Sequence, residues 1–179
     1  MSNKYNIKSH FIKLSIHFSS SNPHFYLQPL LFLTDQFNTL QDEEDVIAAE
    51  YRLSNCQGVI FDHQQQCFFV DFAKLDARIW HLNLVLCAPP RYQFHTLDHY
   101  RLTIENTNHS NNIYLNSCYQ ALDKNSDFII ALQIVRHTRH TGWYTLGQVQ
   151  SLFGTKLELY QRFGYQNYFS EPLLNVQAV

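Results

Sequence analysis

Apolar and polar residues alternate with a period of two along most of the chain, and that pattern predicts strands. Ile12, Leu14, Ile16 and Phe18 alternate with Lys13, Ser15 and His17 as in a half-buried strand, and Ser19-Ser20-Ser21-Asn22-Pro23 comes next as a turn. Residues 25–33 are apolar on both faces and include Pro29, which a sheet accepts only at an edge or a bulge. Residues 34–45 are polar, end in Asp42-Glu43-Glu44-Asp45, and read as a loop or a helical turn. Short strands are expected at 46–51 and 58–61 around a turn at Ser54-Asn55, and at 67–72 after the polar tip His63-Gln64-Gln65-Gln66. One helical turn fits 74–78. An apolar segment with Ile79, Leu82, Leu84 and Leu86 stops at Pro89-Pro90.

Alternation resumes with Tyr100, Leu102 and Ile104, and continues after a plain loop at 106–112 with Ile113, Leu115 and Tyr119. Residues 128–135 are apolar on both faces, as in a central strand, and 143–146 close a hairpin with them. Only the end departs. Val149, Leu152, Phe153, Leu157, Tyr160 and Phe163 recur at three- and four-residue intervals, so 148–162 is expected to be partly helical, with Gly164 at its C-terminal cap. Nine or ten short strands separated by turns predict an all-β chain, a two-sheet antiparallel β-sandwich with a short helical element near the C-terminus.

Composition sharpens this reading. At 179 residues the chain is of single-domain length, and it shows no repeat, low-complexity tract or linker. One domain is expected over 1–179, with its core at about 12–164 and a tail at 165–179. Aromatic residues make up 15%, which suits a pleated half-buried surface. A formal charge of −2 gives no electrostatic case for nucleic acid or an anionic membrane. No apolar run approaches the roughly 20 residues of a membrane-spanning helix. The start, Met1-Ser2-Asn3-Lys4-Tyr5, lacks the apolar segment of a signal peptide, so the expected compartment is the cytoplasm. Cys56, Cys67, Cys87 and Cys118 stand far apart without a CxxC pair, and read as buried thiols.

From Asp45 onward three stretches resemble the tellurium-resistance TerD family, a set of bacterial stress-response β-sandwich domains. Asp45-Val46-Ile47-Ala48, then Ser54 and Gln57-Gly58-Val59, look like the family's Asp-Phe-Val-Phe-Tyr-Asn segment and its later Ser-x-x-Gly-x-Val. Phe69-Val70-Asp71-Phe72-Ala73-Lys74-Leu75, ahead of residues 79–86, is similar to the family's Ile-x-Asp-Leu-x-x-Leu-Pro before a long apolar strand. Ile134-Val135-Arg136-His137, Trp143 and Gly147-Gln148 resemble its Tyr-Arg-His, Trp and Gly-Gln-Gly. Trp143 falls two places later than in the family, which keeps it on the same strand face.

The departures bear on function. The resemblance implies calcium, bound through an early Asp-Leu-Asp segment and a Gly-Asp-Asn-rich loop. Calcium takes six to eight oxygen ligands, several of them carboxylates. The early segment here is Phe25-Tyr26-Leu27-Gln28-Pro29, without an acid, and the loop is Asp62-His63-Gln64-Gln65-Gln66, with one. The expectation is therefore a divergent TerA-like branch with a degenerate calcium site.

Other candidate chemistry is weaker. His95 and His99 have the four-residue spacing that converges on zinc in a helix, but Pro89-Pro90 before them and a strand after them favour loop histidines. His137 and His140 fall on opposite faces of a hairpin, where Arg136 is expected to make a structural hydrogen bond. An anion site made by Arg136 and Arg139 is the sharper reading of that group. The acidic run 42–45 is expected to be a solvated loop, and Asp71 to end its strand or cap residues 74–78. No glycine-rich phosphate loop, GxSxG elbow or nucleophile signature occurs.

No catalytic, cofactor-binding or metal-binding residue is assigned, and no cofactor is expected. The resemblance implies a non-enzymatic tellurium-resistance and stress-response-type binding or scaffold module, with protein partners drawn from such a system. The alternative is a histidine-dependent zinc- or anion-binding protein, enzymes included. A sugar-binding sandwich would need exposed coplanar rings.

Overall fold

The computed structural model describes residues 4–49, 52–89, 94–107, 113–121, 123–138, 142–146 and 150–164. These residues form two antiparallel sheets. The larger runs β1 (Lys4–Ile7), β11 (Trp143–Leu146), β10 (Phe128–Arg136), β7 (His81–Cys87), β3 (Gln28–Thr34) and β4 (Val46–Ile47), and β12 (Gln150–Leu152) also pairs with β10. The smaller runs β5 (Val59–Asp62), β6 (Cys67–Asp71), β2 (Phe11–Ser20), β8 (Leu97–Asn106) and β9 (Ile113–Tyr119). The all-β sandwich expected from the alternation is what forms.

Side-chain alternation builds a core on each side of the larger sheet. Leu82, Leu84 and Leu86 of β7 and Ile129 and Ile134 of β10 share the inter-sheet core with Leu14, Ile16, Leu102 and Ile104 of the smaller sheet. The alternate positions Phe32, Val85, Cys87 and Phe128 point the other way. They meet Leu159 and Tyr160 of the helix α1 (Lys156–Arg162) and Phe163 just after it. The Phe32 ring stacks 4.4 Å from Phe163 and meets Tyr160 edge-on at 5.2 Å. Two covered faces explain why β3, β7 and β10 are largely apolar on both faces instead of alternating.

Pro29 sits opposite Leu86 on β7, while β4 reaches only Leu31 and Phe32 on the other side. There β3 is itself an edge, so a missing N–H is tolerated.

Several expected boundaries move. Of the strand expected at 46–51, Val46–Ile47 forms and 48–49 does not, while 50 and 51 lie outside the described residues, and 74–78 forms turns without helix. β1 extends the sandwich ahead of residue 12. The partly helical reading of 148–162 holds: among the described residues the helix takes Lys156–Arg162, and a short strand precedes it. Gln150–Leu152 pairs with Phe128–Ile130, the part of β10 that β11 does not reach. The chain then turns at Gly154 (φ 125°), and Thr155 starts the helix. Its side chain accepts the Glu158 N–H and the Glu158 carboxylate accepts the Thr155 N–H, a reciprocal cap. Gly164, at φ 76°, comes after the last helical turn as expected. The expected tail at 165–179 lies outside the described residues.

Candidate functional site

The β6–β7 connection, residues 72–80, is held from several sides by the residues that carried the family resemblance. Asp71 ends β6 as expected: its N–H donates to the Gly58 carbonyl at 2.7 Å, and its Oδ1 accepts the Ala73 N–H at 3.1 Å. Gly58 leaves no room for a side chain, because a Cβ there would lie 2.8 Å from Leu75 Cδ2. Ser54 Oγ accepts the Val59 N–H at 2.9 Å and closes the turn before β5. Arg136 Nη1 and Nη2 donate to the carbonyls of Ala77 and Asp76 at 3.0 and 3.3 Å. The Arg136 guanidinium also lies 5.0 Å from the Trp143 ring centre and 5.9 Å from that of Trp80. Trp143 stacks on Phe72 at 4.9 Å. Burial lowers the Arg136 pKa, with Asp76 opposing. Arg136 therefore makes structural hydrogen bonds, as the hairpin reading anticipated. Arg139, His140, Gly147 and Gln148 lie outside the described residues.

Asp45 corrects the solvated-loop reading of the acidic run. It is 3% exposed, and Arg78 Nη2 meets its Oδ1 at 3.0 Å. Its Oδ2 is buried without a hydrogen bond of ordinary geometry. Burial pushes this carboxyl up from 3.8 to about 6, Asp42 adding to the rise while Arg78 and the Asp42 and Gln41 amides oppose it. The physical reason is topological: Asp45 leads into β4 at the end of the larger sheet, and Arg78 reaches it from the β6–β7 connection. Sequence reasoning missed this pair because Arg78 is 33 positions away and lies in no recognisable motif.

Beside the Arg136 end of β10 lies an open cleft of about 990 Å³. Its walls come from the β1–β2 junction (Lys8, His10), the end of β6 (Phe72) and the β10–β11 hairpin (Arg136, His137, Trp143). Among the described residues no carboxylate lines it. Three remote segments contribute: the sequence reading offered an anion site at Arg136, but spacing along the chain gave no signal of Lys8, His10 or Phe72 beside it.

The remaining candidates separate. His95 lies in a turn and His99 on β8 opposite Ser19, both exposed. Asp62 Oδ1 accepts the Gln64 and Gln65 N–H groups at 2.9 and 3.0 Å, and Oδ2 accepts Gln65 Nε2 at 2.9 Å. The lone acid of that loop closes its own turn. Gln28 and Pro29, from the other expected segment, offer no carboxylate and pair with Cys87 and Leu86. Among the described residues no group of three or more His, Cys, Asp or Glu is placed to hold a metal ion. Across residues 25–29 and 62–66 the one carboxylate is Asp62. The cysteine reading is corrected in part: Cys67 and Cys87 are buried, but Cys56 is half-buried and Cys118 exposed. Cys118 lies on β9, a sheet edge, which explains its exposure. Among the described residues no helix is long and apolar enough to cross a membrane.

Fold and site together define a two-sheet antiparallel sandwich with a helix on the outer face of its larger sheet. Solved structures share this architecture. The chain is similar to a protein of unknown function, SAV2460, at TM-score 0.63 and 11% identity, covering 84% of this chain and 94% of that one. It is also similar to a homologue of the telluride resistance protein TerD, SCO6318 from Streptomyces coelicolor A3(2), at TM-score 0.61 and 8% identity, covering 84% and 95%. At these identities the likeness is one of fold. No protein-family profile and no curated protein sequence matches the chain.

Proposed function

We propose that this protein is a calcium-independent, non-enzymatic binding or scaffold module of the tellurium-resistance and stress-response type. It works in the cytoplasm, on protein partners of such a system, and stands on a divergent TerA-like branch. The observation that carries the reading is the 62–66 turn, in which both Asp62 oxygens accept hydrogen bonds from the turn's own residues. A turn closed by Gln64 and Gln65 needs no divalent ion to order it. The likeness of fold to the TerD homologue supports the type of protein. The family-like residues Asp45, Gly58, Asp71, Arg136 and Trp143 are engaged in holding the β6–β7 connection, which supports a scaffold more than a catalyst.

Calorimetric titration of the chelator-treated protein with calcium tests this reading. The expected result is heat of dilution only. Saturable one-to-one binding would overturn it.

A further inference from the structure

We infer that the cleft at the Arg136 end of the sandwich binds a small organic oxyanion, a phosphate or carboxylate carried on an apolar body. The cleft is a second site, separate from the 62–66 turn, and does not depend on the fate of calcium.

Its charge is the first ground. Lys8, His10, Arg136 and His137 all line it, without a single Asp or Glu among the described lining residues, in a chain whose formal charge is −2. Of the acids in the adjoining segment, Asp71 pairs with Lys74 at 3.8 Å, and Asp76 pairs with Arg78 at 3.5 Å while also acting on Arg136 from outside the cleft lining. Four nitrogen-bearing side chains from two segments thus line one concavity with no carboxylate among its described lining residues. An oxyanion gains charge-assisted hydrogen bonds there, which are about twice as strong as neutral ones.

The second ground is how Arg136 is held. Two of its five N–H groups are fixed on the Ala77 and Asp76 carbonyls, and the guanidinium plane is held by Trp80 and Trp143. A fixed cation loses little side-chain entropy when an anion arrives. Lys8 and His10 are exposed and can adapt to the headgroup. The third ground is shape. Ile7, Phe72 and Trp143 add apolar lining to the basic side chains, and about 990 Å³ lies in the range of small-molecule clefts. A lining both basic and apolar matches an amphiphilic anion better than a bare ion.

The chain's two tryptophans, Trp80 and Trp143, both flank Arg136, so their emission reports on the cleft. Phenylphosphate is the probe, with inorganic phosphate and phenol as its two halves. A saturable emission change with phenylphosphate is expected, with binding roughly tenfold weaker for each half alone. The Lys8→Ala/His10→Ala variant should bind phenylphosphate roughly tenfold more weakly while melting at the parent temperature, because both side chains are exposed. Lys124→Ala, in the loop at the other end of β10, should bind as the parent does. No saturation with phenylphosphate overturns the inference. So does undiminished binding by the Lys8/His10 variant, or phenol binding as tightly as phenylphosphate.

Discussion

Replacing Arg78 by Met strands the Asp45 carboxyl, which is 3% exposed and keeps an Oδ2 without a hydrogen bond of ordinary geometry. Removing one partner of a buried pair costs about 3–5 kcal/mol. The Arg78 side chain is 35% exposed, so water recovers part of that loss and a cost of about 2 kcal/mol is expected. For a domain of this size that lowers the melting temperature by roughly 4–8 °C. The cost depends on pH, with a definite sign. Burial raises the Asp45 carboxyl from 3.8 to about 6 in the fold. The fold therefore prefers the protonated acid, and the group's stabilising contribution is complete below pH 3.8 and lost as pH rises through about 6.

Arg78 is needed only where Asp45 is ionised. Urea unfolding of parent and Arg78→Met, monitored by tryptophan emission, should show the full penalty near about pH 7.5 and less than half of it near about pH 5. In an Asp45→Asn background the same substitution should also cost less than half, since the amide needs no counter-charge. A penalty equal at both pH values, or undiminished in the Asp45→Asn background, would refute the coupling.

Gly58→Ala should destabilise the chain by about 1–3 kcal/mol by chemical denaturation, since its Cβ would lie 3.1 Å from the Leu75 N and 3.2 Å from the Asp71 carbonyl oxygen, as well as against the Leu75 side chain. Thr155→Ala removes the cap of α1 and should cost about 1 kcal/mol by the same measurement, with Thr155→Ser restoring most of it. Thiol labelling of the native protein, read by mass spectrometry, should modify Cys118 first. Cys67 and Cys87, buried and pushed up to about 11 and about 12, should react only on unfolding.

Legibility in the sequence was a matter of range. Strand positions along 12–18, 100–104 and 128–135 were readable because a period of two is a local property. The layer packed on the outer face was half readable: residues 25–33 and 128–135 announced two covered faces, but not that α1 covers one of them. The helix start was missed although Thr155 and Glu158 stand at capping-box spacing, because apolar residues at 149, 152 and 153 extended the helical period backwards. Leu152 belongs to a short strand and Phe153 to the turn after it, and only pairing with β10 decides it. Site geometry was least readable. The Asp45–Arg78 pair and the basic cleft each join segments far apart in the chain, and no spacing rule connects Lys8 with Arg136. Where the family-like residues went was likewise hidden: Arg136 and Trp143 resembled a motif, but their work on the Ala77 and Asp76 carbonyls and on Phe72 needed coordinates.

The central claim concerns the turn between β5 and β6, and crystals soaked in calcium test it most directly. The expected density shows Asp62 Oδ1 on the Gln64 and Gln65 amides and Oδ2 on the Gln65 side chain, with no ion between that turn and residues 25–29. A cation coordinated by six or more oxygens there, with Asp62 drawn off its own turn, would contradict the account.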